Sequence, residues 1–126
     1  MKWYHIGIKA KDSESSIRFY REILGLAIVD TVDVWGKKFT FVGNDTIQIE
    51  IEQANPGDIQ ANPSTMTGLN HFSVVVNDIH RFVEEARSKG ADVLMEPFHP
   101  RPDRFTTFIR DPDGVLIQVI QYVEAS

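Results

Sequence analysis

The side chains with chemistry to offer fall at matched places in two halves of the sequence. His5 lies seven positions before Asp12, and His71 lies seven before Asp78. Later in each half, a strand-like stretch carries oxygen donors among aliphatic residues: Gln48, Glu50 and Glu52 in "TIQIEIEQ", Gln118 in "VLIQVIQY". The chain has no Cys, so any metal would be held by imidazole nitrogen and by carboxylate or amide oxygen. Two imidazoles and two oxygen donors make a four-ligand set for a divalent ion, and a carboxylate among them can also move a proton. Each residue alone has a plainer use, as a hydrogen-bonded strand histidine, an acidic edge face or a satisfied core amide. Their matched placement in both halves favours the metal reading.

The elements that must position these residues also come in duplicate. "WYHIGIKA" alternates, with Ile6, Ile8 and Ala10 on one face and His5, Gly7 and Lys9 on the other, which reads as a strand. Asp12 or Ser13 can cap a helix whose apolar stripe is Ile17, Tyr20, Ile23 and Leu24, and Gly25 ends it. "LAIVDTVDV", "KKFTFV" and "TIQIEIEQ" follow as strands, with turns at Trp35-Gly36 and "GND". Residues 54–67, "ANPGDIQANPSTMT", have little apolar patterning and read as a linker. The order then repeats. "GLNHFSVVV" is a strand with His71, Ser73 and Val75 on one face, and "NDIHRFVEEARSKG" is a helix with Phe82, Val83 and Ala86 inward. "ADVLMEP" is a strand, "FHPRPD" a loop, "RFTTFIR" a strand, "DPDG" a turn and "VLIQVIQY" the last strand. The sequence therefore predicts an α+β fold of two β-α-β-β-β modules, about residues 1–53 and 68–126, within a single domain. Each module has too little core to stand alone, so the two should pair.

In bulk the chain is an ordinary globular one. It has 126 residues, 42% of them apolar and 25% charged, with a formal net charge of −5. That charge disfavours nucleic acid as a general partner. No apolar run approaches the roughly 20 residues of a membrane helix, and the N-terminus lacks a signal-peptide stretch, so a cytoplasmic location is expected. "HPRPDRFTTFIR" brings Arg101, Arg104 and Arg110 near the second-half polar face, where they could clamp an anionic substrate tail. His80 is expected in solvent and His99 at a pocket rim.

"FYREILGL" after the first strand, "HF" opening the second half and "DPDG" before the last strand resemble the vicinal oxygen chelate superfamily over residues 3–122. That group includes glyoxalase I, methylmalonyl-CoA epimerase, extradiol dioxygenases, fosfomycin-resistance enzymes and bleomycin-resistance proteins. The resemblance implies a cupped, barrel-like mixed sheet around one divalent ion, of nickel, zinc, cobalt, manganese or iron. It implies His5, Glu50 and His71 as ligands, with Glu52 as the fallback for Glu50, because a slip of two keeps the same face. The fourth position, usually Glu after "DPDG", is Gln118 here. With one carboxylate the site would carry a net +1, binding metal less tightly but polarising a bound carbonyl more strongly. It further implies a glyoxalase-like lyase or isomerase acting on a small substrate with two adjacent oxygens, by proton transfer through a metal-stabilised enediolate. Glutamine cannot be the base, so that role falls to Glu50. The alternatives are a metal-free protein that sequesters an antibiotic or other small molecule, and an extradiol-type dioxygenase. A homodimer is expected for a member of this length.

Overall fold

Both helices begin on an aspartate that follows a histidine by seven residues. In the computed structural model, which describes residues 1–124, Asp12 caps α1 (Ser13–Glu22), accepting from the Glu14 N–H and from the Ser15 hydroxyl at 2.9 Å. Asp78 caps α2 (Ile79–Ser88) by accepting from the Arg81 N–H. In each case a short carboxylate satisfies donors that the first helical turn leaves without partners. Each helix gives way to a glycine in the left-handed region, Gly25 at φ 69° and Gly90 at φ 84°, where a Cβ would be strained.

Two compact units follow from this plan, Met1–Ile59 and the chain from Gln60 onward. The first contains β1 (Ile6–Ala10), α1, β2 (Ala27–Val34), β3 (Lys37–Gly43) and β4 (Gln48–Gln53). Its mixed sheet has the order β1-β4-β3-β2, with β1 parallel to β4 and the other pairs antiparallel. Ile8, Ala10, Val42, Ile49 and Ile51 are buried on the face that receives α1. Of the stripe expected on the helix, only Tyr20 is fully buried. Ser16 and Tyr20, one turn apart, are fully buried, while Ile17, Ile23 and Leu24 are only half-buried. The small serine admits the helix close to the sheet, and the tyrosine ring supplies the bulk.

The second unit contains β5 (His71–Val75), α2, β6 (Asp92–Val93), β7 (Phe98–Arg101), β8 (Arg104–Arg110) and β9 (Leu116–Tyr122). Its sheet order is β5-β9-β8-β6, with β7 also paired to β8. Ile79, Val83 and Ala86 of α2 are buried together with Ile109, Ile117 and Val119 of the sheet. Two expectations fail here. "FHPRPD" is not a loop but supplies β7, and the strand expected over "ADVLMEP" shrinks to the two residues of β6. The edge of β8 is shared between them, Asp92 pairing with Arg110 and Phe98 with Thr106. Pro100, which has no N–H to give, is absorbed where the β7 register slips between Phe98 and Arg101.

The "DPDG" turn is built by Asp111, whose carboxylate accepts from the Asp113 and Val115 N–H groups at 2.8 Å each. That closes the corner and sets where β9 starts. No helix among the described residues is long and apolar enough to cross a membrane. Ile51, 1% exposed beneath α1, should lose about 2–5 kcal/mol on truncation to Ala, measured by denaturant unfolding. The Ser15 hydroxyl holds the Asp12 carboxyl below its ordinary range. The stabilisation from that depressed value is complete above the unfolded-chain value and fades as pH falls through the folded one. The difference in thermal midpoint between the wild type and Asp12→Ala should therefore be present at neutral pH and shrink below about pH 4.

Candidate metal centre

Strand register decides which side chains share a face. β1 runs parallel to β4 with Gly7 opposite Glu50, and β5 runs parallel to β9 with Ser73 opposite Gln118. His5 lies two residues before Gly7 and His71 two before Ser73. Each unit thus turns one imidazole and one oxygen donor to the sheet face away from its helix.

In the first unit the pair is in place. His5 Nε2 lies 3.7 Å from Glu50 Oε2, with each side chain about a quarter exposed. The ring is wedged edge-on by Phe41, centroids 5.1 Å apart, and by Tyr4 at 4.4 Å. Its Nδ1 is buried without a hydrogen-bond partner. Two donors on a tetrahedral ion, each about 2.1 Å from it, stand about 3.4 Å apart, close to the separation here. The Nε2–Oε2 separation, just beyond hydrogen-bond reach, suits two ligands of one ion better than a closed ion pair. Glu52 shares the strand face but is spent elsewhere, bound to Lys37 Nζ at 2.7 Å.

The second unit holds its two donors differently. His71 is exposed, its Nδ1 fixed by Asn70 Oδ1 at 2.7 Å and its ring set edge-on to Phe108. That leaves Nε2 as the nitrogen available to a ligand. Gln118 is half-buried between two hydroxyls. Its Oε1 accepts from Ser73 Oγ at 2.7 Å, and its Nε2 donates to Thr106 Oγ1 at 3.1 Å. Among the described residues no three His, Asp or Glu side chains stand together as a group able to hold an ion.

Comparison with known proteins places this architecture. The family profile of the Glyoxalase/Bleomycin resistance protein/Dioxygenase superfamily matches residues 3–119. This chain belongs to that superfamily. A probable lactoylglutathione lyase of Synechocystis sp. is 32% identical over 125 residues, covering 93% of this chain and 92% of the relative. A lactoylglutathione lyase of Arabidopsis thaliana is 26% identical over 95% of this chain, which spans only 44% of that longer protein. Among solved structures, a glyoxylase/bleomycin resistance protein/dioxygenase domain from Frankia sp. EAN1pec superposes with a TM-score of 0.81 at 19% identity, over 98% of both chains.

Arg104 and Arg110 alternate along β8 with Thr106 and so share the sheet face of Gln118. Arg104 is held by Asp103 through two hydrogen bonds of 2.9 and 3.1 Å and lies over the Tyr122 ring. That bonding raises the guanidinium pKa and lowers that of the Asp103 carboxyl. Arg101 is exposed at the end of β7, and Arg110 lies 3.7 Å from Asp92. His99 does not rim the Gln118 face. Its ring lies tilted against Phe105, which also meets His80 of α2, and strand alternation places Phe105 on the opposite face.

Phe41 could be read from the sequence as a groove-lining or core aromatic, while the contacts of Ser73, Thr106 and Lys37 could not be read from it. Alternation gives the face of each, but nothing in one strand announces the residue it meets in the next. Phe41 is 5% exposed, and its truncation to Ala should cost about 3–5 kcal/mol. The same change should shift the His5 ring-proton resonances by removing the aromatic wedge. Unmoved His5 resonances in a folded variant would contradict that packing.

Proposed function

We propose that this chain is a divalent-metal-dependent, glyoxalase-like lyase or isomerase acting on a small substrate with two adjacent oxygens. The observation that carries the reading is the His5–Glu50 pair. It sits half-buried on the sheet face away from α1, with a gap of ionic-ligand size between Nε2 and Oε2. The names of the Arabidopsis relative, a lactoylglutathione lyase, and of the Synechocystis relative, a probable lactoylglutathione lyase, support the same reaction class. In the proposed ligand set His71 and Gln118 join His5 and Glu50. The ion is one of nickel, zinc, cobalt, manganese or iron, and the working form is a homodimer.

When bound, the ion would supply Lewis-acid polarisation of the substrate oxygens, making the neighbouring C–H acidic. Glu50 is the group placed to take that proton and return it to the adjacent carbon. Nothing is oxidised or reduced overall, and the carboxylate ends the cycle as it began. Glu52 is tied to Lys37, which leaves it poorly placed to share the work. Gln118 can orient an oxygen but cannot accept a proton at neutral pH. The proton traffic is therefore one-sided.

The first test is elemental analysis of protein purified without added metal, followed by assay with hemithioacetals of 2-oxoaldehydes. Near-stoichiometric transition metal, and activity lost on chelation and restored by one divalent ion, are expected. Glu50→Gln should lower kcat by at least about 10²-fold, the usual scale for loss of a general base, while Glu52→Gln leaves it within a few-fold. A metal-free protein that binds small molecules without turning them over would overturn the enzyme reading in favour of sequestration.

A further inference from the structure

The half-buried amide of Gln118 has a direction, and one hydroxyl sets it. Thr106 is 1% exposed and donates its only hydroxyl hydrogen to the Val119 carbonyl at 3.1 Å. What it offers Gln118 is therefore a lone pair, so the amide must face it with Nε2. The other end of the amide is then the oxygen, and it points to β5, where Ser73 Oγ donates to it at 2.7 Å. His71 lies on the same face of the same strand, two residues before Ser73. Ser73 alone could not set this direction, because an exposed hydroxyl can rotate either to give or to accept. The buried threonine, with its hydrogen already committed, cannot.

We infer that Thr106 is a positioning residue that locks the Gln118 amide with its oxygen toward the His71 strand, and that it selects glutamine over glutamate at position 118. A carboxylate there would set an oxygen lone pair against that of Thr106 unless the threonine abandoned the Val119 carbonyl. The amide is thus the side chain this hydrogen-bond pattern accepts without rearrangement. One oxygen lone pair of Gln118 remains after Ser73 is served, at the end of the amide that faces β5. The consequence for a metal rests on the ligand set proposed above; the lock itself does not.

The experiment separates the two. In full-length, metal-free, ¹⁵N-labelled protein, the Gln118 side-chain NH₂ should give one slowly exchanging pair of resonances in the wild type and in Thr106→Ser. In the isosteric Thr106→Val variant that protection should be lost. Zinc titration by calorimetry should then show about tenfold weaker binding for Thr106→Val, near wild-type binding for Thr106→Ser, and no further loss when Thr106→Val is added to Gln118→Ala. An unprotected Gln118 amide in the wild type, or unchanged protection in Thr106→Val, would overturn the lock. Protection that behaves as expected, with zinc affinity indifferent to Gln118→Ala, supports the lock and rejects the ligand assignment instead.

Discussion

The parallel pairing of the first and last strand in each unit is the constraint on which the candidate site depends. β1 meets β4 with Gly7 opposite Glu50, and β5 meets β9 with Ser73 opposite Gln118. A slip of one residue in either register would send the oxygen donor to the helix-facing side, among the buried isoleucines. The helices hold that register by packing on the other face, through Tyr20 and Ser16 in one unit and Ile79, Val83 and Ala86 in the other. The N-caps at Asp12 and Asp78 and the left-handed Gly25 and Gly90 fix where each helix begins and ends. Core packing and site geometry are two readings of the same alternation.

The two halves share a plan but not a chemistry. In the first, a carboxylate stands beside a wedged imidazole whose Nδ1 has no partner. In the second, the equivalent position holds an amide spent on both sides, with Ser73 on its oxygen and Thr106 on its nitrogen. Under the proposed ligand assignment, an amide in place of a carboxylate would keep a means to orient a substrate and lose one means to move a proton. That asymmetry is built into the hydrogen bonds around Gln118, not into that residue alone.

Much of this was legible in the sequence, for identifiable reasons. Alternation in "WYHIGIKA" and "TIQIEIEQ" is a property of single strands, so the faces of His5 and Glu50 could be read directly. The equal His-to-Asp spacing in the two halves exposed the repeat. Glu50 and Glu52 share one face, so alternation does not separate them; what the sequence could not show is that Lys37 reaches across from β3 to Glu52. β7 was missed because Pro100 and His99 look like loop residues, and only pairing with β8 across an irregular register makes them a strand. The stripe on α1 was read only in part, because Ser16, a small polar residue, is fully buried beside Tyr20 while the isoleucines are half-buried. In each miss the deciding contact lies on a neighbouring element, beyond what periodicity along one segment can report.

The central claim is that His5 and Glu50 are two ligands of one cation and not a simple ion pair. A crystal structure of the full chain grown with zinc, with anomalous diffraction recorded at the zinc edge, addresses it most directly. The account predicts an anomalous peak bonded to both His5 Nε2 and Glu50 Oε2. Zinc bound elsewhere, with that imidazole and carboxylate closed into a direct hydrogen bond, would contradict it.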